Sequence, residues 1–214
     1  MGYSLKNKRI LVTCGPTWVP IDAVRVVSNI SSGALGQRIA FDCARSGAKV
    51  TLLEGPVTVP LLSRSIRILK FCFFDELQKL LKQELRKNLD AVIHAAAVAD
   101  YKLNRPVRHK ISSKKKTLKL EFVATPKLIH TIKRLASKTF LVGFKLEPVI
   151  SRKSAHRKTQ ELFRQADCDI VVANELTARG YKGFILDKHN TIAIGASDRR
   201  QMSKALVRIL GERL

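Results

Sequence analysis

Two side chains suited to an anionic, reacting group stand four residues apart in the stretch RVVSN, namely Arg25 and Asn29. An arginine offers a planar fork of donors to an anionic oxygen, and an asparagine amide can donate to an oxyanion that forms during a reaction. If residues 22–29 form a helical turn, which IDAVRVV permits, both side chains project from one face. The competing interpretation is a loop held together by asparagine capping, and the stretch alone leaves both open.

A candidate anion site follows directly, where Ser31, Ser32 and Gly33 lead into a segment with helical periodicity. The free N–H groups and the positive dipole end of a helix N-terminus suit a phosphate or a carboxylate. Gly33 and Gly36 have the spacing of the last two glycines of a dinucleotide fingerprint, but the first part of that fingerprint is missing. The fragment therefore fits phosphate binding or an ordinary helix N-cap.

Two further segments carry groups that suit a nucleotide. Asp100 lies near the end of AAAVADY (95–101), whose small residues let a planar ring or a sugar approach the backbone. Its carboxylate can accept from ribose hydroxyls or bind Mg²⁺, and a turn aspartate beside a tightly packed sheet is the alternative. Lys110 opens the run KISSKKKTLK (110–119), whose charges either balance a triphosphate or form a solvated surface.

The cysteines and histidines show no metal-binding pattern. Four cysteines and five histidines are scattered through the sequence without CxxC or cysteine–histidine spacing. Each cysteine lies in an apolar segment, so buried structural thiols are the favoured interpretation. The sequence leaves metal ligands unknown.

The charge balance points to anionic partners. Lysine and arginine number 40 against 17 acidic residues, which gives a formal net charge of +23. A solvated basic surface, phosphate-rich small ligands and nucleic acid all fit this excess. Nucleic acid is the least favoured, because stacking platforms need aromatic rings among the basic groups. No run of eighteen apolar residues and no signal-peptide core occurs, so no membrane span and a cytoplasmic location are predicted.

Apolar strands alternate with helical segments along the chain. Short apolar runs predict strands at 10–14, 49–55, 65–71, 90–97, 140–144 and 168–175, and helical periodicity predicts helices at 34–47, 74–88, 125–136, 151–166 and 198–210. This order predicts one α/β domain over 1–214, with a doubly wound, mostly parallel Rossmann-like sheet. The strands at 10–14 and 90–97 should flank the switch point, where ligands bind beyond the strand ends.

Two segments break the alternation. Residues 102–122 contain Pro106 and then the alternating TLKLEF (117–122), which predicts an extended flap or hairpin. The segment GFILDKHNTIAIG (183–195) predicts a hairpin that turns at His189–Asn190. Between them, Thr125 as N-cap and Pro126 at the first helical position predict the start of a helix.

Six segments then occur in a recognisable order: GPTWVPIDAVRVVSNISSGALG, AAAVADY, KI at 110–111, TPKL at 125–128, LVGFKLE at 141–147 and DIVVANE at 169–175. Together they resemble the phosphopantothenate–cysteine ligase family, the second enzyme domain of the bacterial bifunctional coenzyme A biosynthesis protein. The resemblance runs through essentially the whole chain. The decarboxylase domain that usually precedes this ligase is not in the sequence, so a separate decarboxylase is one expected partner.

The resemblance implies a two-step ligation. The carboxylate of 4′-phosphopantothenate attacks the α-phosphate of CTP, with Mg²⁺ on the triphosphate, to give an acyl-cytidylate and pyrophosphate. The amine of L-cysteine then attacks the acyl carbon, releases CMP and forms the amide. The resemblance also implies a homodimer and catalytic roles for Asn29, Arg25 and Lys110. The nucleotide contacts that it implies are His94, Ala95, Ala96, Asp100 and Lys110, followed by Val123, Ala124, Thr125, Pro126 and Phe144.

The chain departs from the family pattern at three places. Trp18-Val19 replaces an Arg-Glu pair, and KISSKKK replaces KIKK. Leu162 and Ala166 stand where the family carries two phosphate-binding lysines, with Lys158 and Arg164 nearby as substitutes. These changes leave ATP open as an alternative to CTP.

Two other functions remain as alternatives. One is an NAD(P)-dependent Rossmann-type reductase, which is disfavoured because no G-x-G-x-x-G follows the first strand and no Tyr-x-x-x-Lys pair occurs. The other is a basic nucleic-acid-binding protein that uses the net charge.

Overall fold

The secondary structure alternates between strands and helices, as a computed structural model shows for residues 4–105, 107–114, 116–177, 180–189 and 193–214. The strands are Arg9–Cys14 (β1), Trp18–Pro20 (β2), Val26–Ser28 (β3), Lys49–Glu54 (β4), Ile66–Lys70 (β5), Ala91–His94 (β6), Tyr101–Leu103 (β7), Phe122–Ala124 (β8), Phe140–Leu146 (β9), Ile170–Thr177 (β10), Gly180–Asp187 (β11) and Ala193–Ala196 (β12). The helices are Ala34–Arg45 (α1), Phe74–Leu85 (α2), Leu128–Leu135 (α3), Arg152–Ala166 (α4) and Arg199–Arg213 (α5).

A central sheet of eight described strands has the order β12-β11-β10-β9-β6-β1-β4-β5. The six strands from β10 to β5 in this order run parallel, and β11 and β12 extend the sheet as an antiparallel pair. Strand β1 has β4 on one side and β6 on the other, so the chain changes its direction of travel across the sheet there. Both the mostly parallel α/β sheet and its predicted switch point are confirmed.

Helices cover both faces of the sheet and bury a core on each. On one face α1 and α5 pack against alternate residues of β1, among them Ile10 and Val12. On the other face α2, α3 and α4 pack against residues such as Leu11. Burial of the strands on both sides explains why their sequences read as nearly continuous apolar runs. None of the described helices combines the length and the apolarity that crossing a membrane requires.

The segment after β1 forms a hairpin and not the helical turn expected over 22–29. Strands β2 and β3 pair antiparallel, with Trp18 opposite Ser28 and Pro20 opposite Val26. Asp22 closes the turn between them, because its Oδ1 accepts the N–H groups of Val24 and Arg25 at 3.0 and 2.9 Å. The Asp22 carboxylate accepts backbone N–H groups that would otherwise donate to backbone carbonyls in a helix. It therefore stabilises a turn at this point instead of a helix. We call residues 18–28 the arm.

The predicted flap over 102–122 is confirmed in outline but differs in detail. Strands β7 and β8 pair antiparallel at its base, and the alternating stretch 117–121 forms no strand. We call the described residues between 104 and 121 the flap; Pro106 and Lys115 lie outside the described residues. The antiparallel pair of β11 and β12 agrees with the hairpin predicted at 183–195, although Asn190 of its expected turn lies outside them too.

Helix α3 begins later than the sequence predicts. Its first residue is Leu128 and its N-cap is Lys127, so Thr125 and Pro126 precede the helix. The Thr125 hydroxyl donates to the carbonyl of Ala99 at 2.6 Å, and its N–H donates to the carbonyl of Asp100 at 2.9 Å. The Thr125 hydroxyl therefore bonds to Ala99 instead of capping the helix, which is the role that the sequence predicts for it.

Candidate functional site

The segments that follow β1 and β6 are joined to each other at the switch point. Thr17 donates its N–H to the Ala97 carbonyl at 3.3 Å, and its hydroxyl accepts the N–H of Ala99 at 2.8 Å. The Asn29 amide donates from Nδ2 to the carbonyls of Ala97 and Val98, at 3.3 and 3.2 Å. These bonds hold Asn29 against AAAVADY, as the order of elements predicted for the two segments.

A cleft of about 580 Å³ opens beside Asn29. Its polar lining comes from Asn29, Ser28 and Asp100, and its apolar lining comes from the arm, Tyr101 and Phe122 of the flap base. Asn29 and Asp100 are both exposed. An amide and a carboxylate therefore stand together at the edge of a partly apolar cleft, which is the usual make-up of a small-molecule site.

Arg25 lies in an ion pair and contacts the flap. Its Nε and Nη2 donate to Asp22 Oδ2 at 2.9 and 2.6 Å, and Nη2 also donates to the carbonyl of Ile111 at 2.7 Å. The guanidinium holds the pKa of the buried Asp22 carboxyl well below its ordinary range. Lys110, the exposed neighbour of Ile111, is thereby held next to the arm. Of the three predicted catalytic residues, Asn29 lines the cleft, whereas Arg25 and Lys110 are not in its lining.

His94 is buried at the end of β6 and is neutral at pH 7. Burial lowers the pKa of its imidazole to about 4. The Thr13 hydroxyl lies 3.0 Å from Nδ1 and also accepts the N–H of Ala96 at 3.1 Å. The contact with Nδ1 fixes the orientation of the imidazole ring, since the hydroxyl can donate to Nδ1 or accept from it.

A smaller hollow of about 140 Å³ lies beside His94. It is smaller than the usual range for ligand pockets, about 300 to 1,000 Å³, so it suits one part of a ligand, such as a planar ring. Four of the ten predicted nucleotide contacts are not in its lining, namely Ala95, Lys110, Val123 and Ala124. The six predicted contacts that do line it are His94, Ala96, Asp100, Thr125, Pro126 and Phe144.

Asp100 forms an exposed ion pair at the rim of this hollow. The Lys127 ammonium lies 2.6 Å from Asp100 Oδ1, and both side chains are more than half exposed. The carboxylate predicted for ribose or Mg²⁺ therefore already has a cation beside it. A ligand that binds there has to share or displace that lysine.

Helix α4 presents an apolar side chain to the same hollow. Leu162 lines the hollow, whereas Ala166 is buried in the core. Lys158, one turn before Leu162, forms an ion pair with Glu147. Arg164 is exposed and, two residues beyond Leu162, lies on another face of the helix. Of the two predicted substitutes for the missing lysines, only Lys158 shares the face of Leu162.

Three of the four cysteines are buried thiols. Cys14, Cys43 and Cys168 are buried, and burial raises the pKa of each thiol above its usual value. Within the described ranges, no three His, Cys, Asp or Glu side chains lie close enough together to hold a metal ion. The favoured interpretation of buried thiols is confirmed for these three, and Cys72 is only partly buried.

Sequence reasoning missed three residues of this site. Asp22 and Thr13 act on partners more than eighty positions away, and Lys127 was included only in a helix start. Thr13 did carry a signal, because it is a polar residue in the apolar strand ILVTC. Asp22 carried another, an acid three residues before Arg25.

Residues 5–209 match the family described as the DNA/pantothenate metabolism flavoprotein C-terminal domain. The chain is 34% identical over 213 residues to the coenzyme A biosynthesis bifunctional protein CoaBC of Thermococcus kodakarensis, covering 99% of this chain and 51% of that protein. The chain thus spans about half the length of the curated relatives that it matches first.

Two solved structures share the fold at low sequence identity. The DNA/pantothenate metabolism flavoprotein from Streptococcus pneumoniae superposes with a TM-score of 0.86 at 21% identity, covering 97% of this chain and 100% of that one. A Cab2 variant in complex with phosphopantothenate-cysteine gives a TM-score of 0.77 at 19% identity, covering 97% and 87%. At these identities the likeness establishes the fold alone.

Proposed function

The chain belongs to the family of DNA/pantothenate metabolism flavoprotein C-terminal domains, and on that premise we propose that it joins 4′-phosphopantothenate to L-cysteine with CTP as co-substrate. The observation that carries the proposal is the position of Asn29. Its amide lies against the carbonyls of Ala97 and Val98, between the cleft beside the arm and the hollow beside His94. An acid in the cleft and a nucleotide in the hollow would meet at this amide.

The first step activates the acid. The pantothenate carboxylate attacks the α-phosphorus of CTP, the bond to the β-phosphate oxygen breaks, and pyrophosphate leaves with its electron pair. Lys110, which the arm holds by the neighbouring Ile111, supplies positive charge to the phosphates. Lys127, which lines the hollow, and Lys158, one turn before Leu162 on α4, are further candidate cations, although each is in an ion pair with a carboxylate.

Magnesium enters this proposal with the nucleotide. Mg²⁺ on a nucleotide is usually held by phosphate oxygens and one or two carboxylates, and Asp100 is the carboxylate at the hollow. This fits the described residues, which offer no group of three or more metal ligands. When bound, the ion neutralises charge on the triphosphate.

The second step forms the amide. The cysteine amine attacks the acyl carbon of the acyl-cytidylate, the amine loses a proton, and CMP leaves. Asn29 donates to the acyl oxygen as negative charge develops there. Its present bonds, at 3.2 and 3.3 Å, are long enough for a substrate oxygen to replace either of them.

The hollow suits a nucleobase, and CTP is the co-substrate that the family resemblance implies. The volume of the hollow, about 140 Å³, fits one planar ring system. Its walls are apolar at Phe144 and Leu162, and the neutral His94 adds a polar ring to the lining. Because this chain lacks the two family lysines on α4, CTP and ATP must be compared directly.

The alternative of a dinucleotide reductase is disfavoured because the acid that would bind the ribose is not accessible. Dinucleotide folds keep an acid for the ribose hydroxyls about twenty residues beyond the glycine turn. Here Glu54, at the end of β4, is fully buried and accepts from Gln37 Nε2 at 2.7 Å and Leu61 N–H at 3.1 Å. It also forms an ion pair with Lys70, so its carboxylate is already fully engaged.

The deciding experiment measures pyrophosphate release from CTP or ATP in the presence of phosphopantothenate, with and without L-cysteine. We expect release that depends on phosphopantothenate, is faster with CTP, and yields CMP and amide when cysteine is added. No release with either nucleotide overturns the proposal. Faster release with ATP overturns the assignment of CTP and keeps the ligase.

A further inference from the structure

The arm holds the flap by its backbone, at a point far from the flap base. We propose that Asp22 is a positioning residue, whose carboxylate, together with Arg25, latches the flap at Ile111 and so sets where Lys110 stands. The chemical role of Lys110 rests on the proposed function. The latch itself is a contact that can be tested without it.

The two carboxylate oxygens of Asp22 have separate tasks. Oδ1 accepts the N–H groups of Val24 and Arg25 and closes the turn of the arm. Oδ2 accepts Arg25 Nε and Nη2 and, at 3.0 Å, the N–H of Ile111. One oxygen shapes the arm and the other reaches across to the flap.

Ile111 is held at both of its backbone groups. Its N–H donates to Asp22 Oδ2, and its carbonyl accepts from Arg25 Nη2 at 2.7 Å. Hydrogen bonds elsewhere in the described part of the flap stay within it, from Asn104 to Glu121 at the base and from Lys114 to Ser112. The latch therefore supplies the hydrogen bonds between the middle of the flap and the arm.

The latch also links the flap to the acid substrate. The Asp22 side chain is fully buried, and Arg25 is its charged partner, so this pair keeps its orientation. Nη2 of Arg25 serves Asp22 and Ile111 together. The described bonds of Arg25 use Nε and Nη2, so Nη1 can donate to a substrate carboxylate while the latch stays in place.

The test breaks the latch from both sides. Ile111→Pro removes the flap N–H and leaves the arm intact, and Asp22→Asn removes the charge that holds Arg25 and Ile111. Ser113→Pro is the matched control, because it places the same ring two residues along, where the described structure shows no hydrogen bond from the N–H. The readout is the rate of tryptic cleavage after Arg108, which follows the population of the open flap.

We expect each variant to raise the cleavage rate about tenfold or more. Losing a hydrogen bond to a charged group usually shifts an equilibrium by at least about that factor, here towards the open flap. The double variant should cleave no faster than the faster single variant, because both changes remove the same contact between Asp22 and Ile111. Thermal unfolding confirms that each variant is folded. Wild-type cleavage rates in the single variants, or rates that multiply in the double variant, overturn the latch.

The positioning role is tested by kinetics of pyrophosphate release. We expect Asp22→Asn to lower kcat and to leave the KM for the nucleotide near its wild-type value, because Lys110 acts on the transition state. Faster cleavage with an unchanged kcat overturns the positioning role while the latch stands. If the wild-type protein releases no pyrophosphate, the proposed function fails and the cleavage data still decide the latch.

Discussion

Asn29 is the residue on which the proposed chemistry depends most directly. Its amide serves the second step, because the acyl oxygen gains charge only when the amine attacks. We predict that Asn29→Ala still releases pyrophosphate but forms amide about 100 to 1,000 times more slowly. Rapid-quench measurement of acyl-nucleotide and amide separates the steps.

Asn104→Ala is the matched control for Asn29→Ala, because it also removes an exposed side-chain amide. Asn104 bonds to Glu121 at the flap base, away from the lining of the cleft beside Asn29. We expect this control to form amide at a near-normal rate. An Asn29→Ala protein that forms amide at the wild-type rate contradicts the role of Asn29.

His94 should make the stability of the protein depend on pH. The pKa of its imidazole is lowered to about 4 from 6.5 by burial, so the unfolded state binds the proton more readily. The free energy of unfolding therefore falls as pH decreases from about 6.5 towards 4, by about 2 to 3 kcal/mol near pH 4.5. Urea unfolding at a series of pH values measures this.

A His94→Gln variant supplies the comparison, because glutamine does not titrate in this range. The free energy of unfolding of the wild type, minus that of His94→Gln, should decrease as the pH falls from 7 to 4.5. A difference that stays constant between pH 7 and 4.5 contradicts the buried, neutral histidine.

Residue types suggested the reacting groups but not the residues that orient them. Arg25 and Asn29 stood out because an arginine fork and an amide have recognisable chemistry. The partners Asp22 and Thr13 did not, because their bonds reach Ile111 and His94 across 89 and 81 positions. Only the folded chain brings such groups together.

At the scale of elements, local signals failed where a tertiary contact was stronger. The 22–29 stretch permits a helical turn, yet pairing of β2 with β3 and the Asp22 turn make it a hairpin. The helix expected at Thr125 starts at Leu128, because the Thr125 hydroxyl bonds to Ala99. The strands of the parallel sheet and the remaining helices were predictable because each buries a continuous apolar surface.

The contact of α1 with β1 depends on a glycine. A Cβ at Gly36 would lie 2.5 Å from Cys14 Cβ, which is closer than side-chain carbons approach. Overpacking of this kind costs about 1 to 3 kcal/mol, against about 1 kcal/mol that alanine gains over glycine within a helix. We predict that Gly36→Ala lowers the free energy of unfolding by about 1 kcal/mol, measured in urea.

Gly195→Ala is the corresponding control in β12. A Cβ there would meet Phe184 at 3.6 Å, an ordinary contact. We expect its stability to change by less than about 0.5 kcal/mol. A Gly36→Ala protein that matches or exceeds wild-type stability shows that the helix moves away without cost.

For the whole molecule, the order of elements was sufficient to predict the sheet and its switch point. Alternation of strands and helices forces parallel pairing with helices on both faces, which the strand order confirms. The arm and the flap were not predictable in the same way, since their shape comes from contacts between them. The sequence therefore predicts where the cleft lies in the fold, but it does not predict the shape of the cleft.

The net charge of +23 should oppose folding through self-repulsion. Raising the ionic strength from about 10 to about 150 mM shortens the Debye length from about 30 to about 8 Å. We predict that the urea midpoint at pH 7 rises over this range, because screening weakens repulsion across the surface. A midpoint that falls shows that surface ion pairs outweigh the repulsion.

Strand β5 ends the sheet, with its outer hydrogen-bonding groups facing away from β4. Open strand edges invite a second chain to pair with them, and charged side chains discourage this. Arg67 and Lys70 occupy β5 and are held by the buried carboxylates of Glu84 and Glu54. An added strand would have to crowd or desolvate both cations. Protection against edge-to-edge aggregation is therefore a second consequence of these two ion pairs.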